Sequence, residues 1–199
     1  GQGDDRFSLT GTVTNSTLVG GSGADLLTFN NVVGNTSVKA FGSADDSAND
    51  TVVLASTASD INVDFGKGAD SLSLAKGGTN VTVSASEGND TVVAALTLSA
   101  SSIQGGVGDD SLSISVLSGS TIYAGSGGDT INLAKAISSE VYTNQGSDLI
   151  TASGASTTST LAGGKGADTI DIGGNVTGGQ ILGNSGADSI TIAGTVNSA

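Results

Sequence analysis

Ten aspartates stand at nearly even intervals along a chain of 199 residues: Asp5, Asp25, Asp50, Asp70, Asp90, Asp110, Asp129, Asp148, Asp168 and Asp188. Their spacings are 20, 25, 20, 20, 20, 19, 19, 20 and 20 residues. A glycine lies two residues before nine of them, at Gly3, Gly23, Gly68, Gly88, Gly108, Gly127, Gly146, Gly166 and Gly186, and Ala48 is the exception. Carboxylates in such a series offer oxygen ligands to hard cations. Glycines accept positive φ and so turn backbone carbonyls toward a common point. The chain has no His and no Cys, which removes zinc, haem and iron–sulfur sites together with His-activated nucleophiles.

The residues between the aspartates must position them, and they are patterned too. Two and four places after each aspartate come apolar pairs such as Leu27/Phe29, Val52/Leu54, Leu72/Leu74, Leu112/Ile114 and Ile170/Ile172. Seven places before lies a second apolar column (Leu18, Val63, Val83, Ile103, Ile122, Val141, Leu161, Ile181), and five before it the residue is mostly Gly or Ala. A third column sits eight after, at Val13, Val33, Leu98, Ile137, Val176 and Val196. Period-two alternation over short β-branched stretches reads as strands with one face inward. A repeat of this length cannot bury its apolar face alone and must stack on its neighbours. The expected fold is all-β, a right-handed parallel β-solenoid of the β-roll type. It should have about ten coils of 19–20 residues, each with two strands and two turns. Stacking at about 4.8 Å per coil gives a rod on the order of 48 Å long. Its thin core needs few aromatic residues, and they are only 3% of the chain, while glycine supplies 32 residues.

Six Lys+Arg against nineteen Asp+Glu leave a net charge of −13 at pH 7, which excludes an electrostatic grip on nucleic acid or anionic lipid. Charged residues are nevertheless only 13%, too few for a chain kept unfolded by its charge. No apolar run is long enough to span a membrane. The six basic residues (Arg6, Lys39, Lys67, Lys76, Lys135, Lys165) are dispersed, and no catalytic constellation forms, so an enzyme is not expected.

Stacked coils would place the carboxylates about 5 Å apart, where each neighbouring pair repels by roughly 3 kcal/mol and nine pairs by about 30 kcal/mol. A domain of this size is stable by only about 5–15 kcal/mol. The row therefore requires protons or cations, and at neutral pH calcium is the better account because it takes six to eight oxygens in irregular geometry. The candidate metal set is the ten aspartates with Gly3, Gly23, Gly68, Gly108, Gly127, Gly166 and Gly186, holding several calcium ions in one file between coils.

The whole of 1–199 reads as one solenoid domain, with residues 40–50 a bulged turn insertion that accounts for the long interval before Asp50. Loops accept such length changes at little cost. Gly1 begins inside a motif and Ala199 ends partway through a coil, so the segment is expected to belong to a larger repeat protein. Tyr123 and Tyr142 both precede their aspartates by six and should stack outward on adjacent coils. The Ser/Thr row after the aspartates reads as a solvated β face.

Stretches such as Gly20-Gly21-Ser22-Gly23-Ala24-Asp25, Gly163-Gly164-Lys165-Gly166-Ala167-Asp168 and Gly105-Gly106-Val107-Gly108-Asp109-Asp110 resemble the nonapeptide of repeats-in-toxin (RTX) proteins. The resemblance implies calcium-binding β-rolls that fold after type I secretion. The family's usual motif recurs every nine residues; here it comes once per coil, which implies calcium on one edge only. The composition also resembles bacterial surface-layer and giant adhesin proteins. The expected function is a calcium-stabilised structural module of a secreted, cell-surface protein, self-associating end to end or in a lattice. The alternative is an adhesin arm binding ice, glycan or another cell. A third reading is the accessory β-roll of a secreted enzyme.

Overall fold

Alternating Val, Ile and Leu within a single coil have nothing to pack against, and each finds its partner one coil away. The computed structural model describes residues 1–31, 33–41 and 46–197. They form a right-handed parallel β-solenoid of about nine turns, all of whose strands pair in parallel with the next coil. One inward file runs Leu27, Val52, Leu72, Val92, Leu112, Ile131, Ile150 and Ile170 in unbroken register. Every member of it is buried.

Each coil has three faces, not the two expected. The first follows the aspartate, as in Leu26–Phe29 and Thr169–Ile172. A short second face carries segments such as Val13–Thr14 and Val176–Thr177. The third leads back to the glycine turn, as in Ser102–Val107 and Thr160–Lys165. Among the described residues the first face has ten rungs and the third has nine, which is why ten motifs close only about nine turns.

The second face corrects one column. Ala136, not Ile137, stands between Leu117 and Ser156 in the core register. The 19-residue coils drop a residue at the bend between the first two faces, where the register shifts between Ala94 and Thr97. The inward position then arrives seven residues after the aspartate.

A left-handed residue bends each coil between the second and third faces: Asn15, Asn35, Asp60, Asn80, Ala100, Gly119, Ser138, Thr158 and Gly178 all have φ between 44° and 64°. Several of them stack along the outside. Asn35 Nδ2 donates to Asn15 Oδ1 (2.5 Å) and Asn80 Nδ2 to Asp60 Oδ1 (2.6 Å). Tyr123 and Tyr142 stack as expected, with ring centroids 5.4 Å apart and planes 13° from parallel. Of the insertion at 40–50, residues 42–45 lie outside the described residues. The faces on either side keep their register, since Leu26–Phe29 pairs with Thr51–Leu54 without a shift.

Candidate metal centre

The glycine turn positions each aspartate. The residue two before it takes a φ of 91° to 144° at all nine glycines from Gly3 to Gly186, a region open to glycine alone. The stacking adds a second demand. The carbonyl of Gly88 lies against the Cα of Gly108, that of Gly108 against Gly127 and that of Gly146 against Gly166, leaving no room for a Cβ. In the third coil the Ala48 carbonyl occupies the same place beneath Gly68. The motifs that lack their second glycine keep the turn, because Ser86 and Asn144 adopt φ of 81° and 75° where Gly106 and Gly125 stand in their neighbours.

The aspartates form the expected single file, but inside the corner and not along a solvent edge. Asp25, Asp50, Asp70, Asp90, Asp110, Asp129, Asp148 and Asp168 are each at most 3% exposed, and only Asp5 and Asp188 at the ends are half-buried. One oxygen of each carboxyl has a fixed task. The backbone N–H of every motif aspartate from Asp5 to Asp168 donates to Oδ1 of the next, over 2.7 to 3.0 Å. The other oxygen has none. Oδ2 of all eight interior aspartates is buried without a hydrogen-bond partner. It points back toward the residue five places earlier, and at Gly20, Gly105 and Gly163 a Cβ would collide with it. That contact accounts for glycine at these positions, while Phe65, Ala85, Ala124 and Thr143 stand at the same offset in other coils.

Burial dominates the electrostatics. Desolvation pushes Asp50, Asp90 and Asp110 up to about 6, against the downward pull of the N–H bond that each accepts. It pushes Asp70 and Asp129 up to about 7, with neighbouring carboxylates adding to the rise. Asp148 is raised for the same reason, and offset in part by the Asp129 N–H and Thr143.

A buried carboxylate with one oxygen unpartnered requires positive charge at that oxygen, so the file's donor chemistry fits a hard cation. Among the described residues no three carboxylates converge on one point. A cation there would take carboxylates from successive coils and complete its shell with turn carbonyls or water.

Two further ladders escaped the sequence reading. Just outside the main file, Oδ1 of Asp4, Asn49, Asn89 and Asp109 accepts the N–H of Ala24, Ala69, Asp109 and Gly128 in the following coil. At the opposite corner, the N–H groups of Val81, Ser101, Ser120 and Ser139 donate to the hydroxyls of Ser101, Ser120, Ser139 and Ser159. These four serines stand nine residues before Asp110, Asp129, Asp148 and Asp168, a regularity that was available to find them.

Compared with family models, with curated proteins and with solved structures, the chain matches none.

Proposed function

We propose that this chain is a calcium-stabilised structural module of a secreted cell-surface protein, an RTX-like β-roll working as a rod in a surface layer or filament. The observation that carries the reading is the file of eight buried carboxylates, each with one oxygen lacking a partner. Calcium held by Asp25 through Asp168 would supply the positive charge that burial otherwise demands of a proton. The glycines at each turn support the same reading by presenting carbonyl oxygens beside the file.

Circular dichroism during a calcium titration from a chelated start, with magnesium as control, tests the reading. A cooperative coil-to-strand transition with calcium alone is the expected result. A strand spectrum that is indifferent to chelator at neutral pH would sink it and leave a metal-free rod.

The adhesin reading has its own supporting observation. An open trough of about 820 Å³ is lined by the amides of Asn15, Asn35 and Asn80, the Asp60 carboxylate and the Thr82 hydroxyl. Such a surface suits a polyhydroxylated ligand, and binding of the calcium-loaded rod to a glycan array would favour this alternative.

A further inference from the structure

Only two side chains of this protein are open to mild one-electron oxidation. The sequence contains no Cys, Met, Trp or His, and it has two tyrosines. The fold brings those two together. Tyr123 and Tyr142 stand opposite each other on neighbouring coils, in the register that pairs Thr121–Ser126 with Glu140–Gln145. Their rings are stacked with centroids 5.4 Å apart. Tyr123 is 41% exposed and Tyr142 half-buried, so an oxidant in solution reaches the pair.

The surroundings suit radical chemistry. Gln104 precedes the pair in register and Ala162 follows it, so no third ring continues the stack and an electron hole stays on the two tyrosines. The short side chain of Ala162 leaves the Tyr142 ring free to turn about its Cβ–Cγ bond. That rotation in both rings turns their ortho edges toward each other. Desolvation first and the charge of Glu140 second raise the Tyr142 phenol above its ordinary value, so it carries its proton at neutral pH. Glu140 stands two residues earlier on the same outward face, where its carboxylate is at hand to take that proton.

We propose that Tyr123 and Tyr142 form an oxidative cross-linking site, at which a dityrosine bond joins two successive coils covalently. The oxidant is hydrogen peroxide acting through a peroxidase. Each phenol gives up one electron and one proton, and the peroxide takes both electrons and both protons to become two molecules of water. The two tyrosyl radicals couple through one ortho carbon (Cε) of each ring. The hydrogen on each of those carbons then moves to the phenolic oxygen, and the product lacks two hydrogen atoms relative to the starting pair.

The test treats the folded 199-residue chain, in calcium, with hydrogen peroxide and a haem peroxidase, and then isolates the monomer. The expected monomer shows dityrosine fluorescence and an intact mass lower by two hydrogens. After denaturation, trypsin cuts at Lys76, Lys135 and Lys165, and residues 77–135 should stay joined to 136–165. The same treatment in urea that unfolds the chain should give several-fold less of the joined product. Tyr123→Phe, which keeps the ring and loses the phenol, should give none. Oxidation should also raise the urea midpoint of the wild type and leave that of the Phe variant unmoved. Dityrosine found only between chains, no joined product from the folded monomer, or equal yields from folded and unfolded chains would overturn the site. A joined product with an unmoved midpoint would overturn the claim that the bond ties two coils of the native rod.

Discussion

Two of the rod's corners solve one problem with different chemistry. At each, a backbone N–H that would otherwise be buried without a partner is taken up by a side-chain oxygen of the next coil. At the serine corner the hydroxyl also donates, from Ser101, Ser120, Ser139 and Ser159 to the carbonyls of Ser99, Ser118, Ile137 and Thr157, over 2.7 to 2.9 Å. Both capacities of the hydroxyl are used, and no charge is buried. At the aspartate corner one oxygen does the same work and the second is left alone. Stacking by itself thus requires no charge. What the carboxylate adds is dependence on something outside the chain, a proton or a cation.

The comparison breaks most visibly with pH. The unfolded aspartates titrate near 3.8 and the folded ones at Asp50, Asp70, Asp90, Asp110 and Asp129 at about 6 to 7. Their folded values are raised, so this contribution is fully present below 3.8 and is lost as pH rises through 6 to 7. Between the unfolded and folded values each carboxyl loses up to about 1.4 kcal/mol of this contribution per pH unit, less after solvent screening. Under chelator the strand signal should therefore survive at about pH 4 and collapse toward about pH 8, and saturating calcium should flatten the curve. A chelated rod equally stable at both ends of that range would mean that the file is not charged in the way described.

Next in size is a pair of glycine substitutions. Gly108→Ala faces both a φ of 135° and the Gly88 carbonyl, and should cost about 3 kcal/mol or more in thermal or urea unfolding. Gly119→Ala, at the serine corner, has a φ of 53° and open space around it; Ala100 already occupies the equivalent place one coil earlier. Its cost should be about 1 kcal/mol. Equal costs would erase the distinction between the corners.

Ser120→Ala removes the acceptor for the Ser101 N–H and should cost about 1–3 kcal/mol. That loss should be the same in acid and at neutral pH, since no titrating group is involved. Asp90→Asn is the smallest effect and the sharpest. With calcium removed, it should stabilise the rod by about 1 kcal/mol at alkaline pH, where the native carboxylate is an unpaired buried charge. The gain should vanish in acid. Destabilisation at both extremes would show that the lone Oδ2 is satisfied in the native rod by something other than a proton or cation.

Much of this could be read from residue order, because Asp, Gly and the apolar columns repeat at one period and few other residues do. The depth of the aspartates could not. A carboxylate in a glycine turn reads as surface, and only the packing of Oδ2 against Gly20, Gly105 and Gly163 places it inside. The serine ladder keeps a constant offset from the aspartates, but Ser also fills many exposed positions, and that abundance masked the regularity. The short second face was obscured where the 19-residue coils lose a residue, since a fixed offset then selects Ile137 over the buried Ala136. The buried Asp46 belongs to no repeat, and residue order marks it only as part of the insertion at 40–50, where loop length was the simpler reading.

The hydrogen bond that runs from each aspartate to the next also has a mechanical meaning. Every coil is bound only to the coil before it and the coil after it, so a rod pulled from its two ends gives way one rung at a time. Each regular rung surrendered removes about 4.8 Å of rod and frees 19 or 20 residues, which extend to roughly 65 Å of slack, and the coil with the insertion frees 25. Such a tether lengthens more than tenfold before its backbone is taut, and it dissipates a separate increment of work at every step. With a cation seated between rungs, the force at which it yields would follow the salt around it.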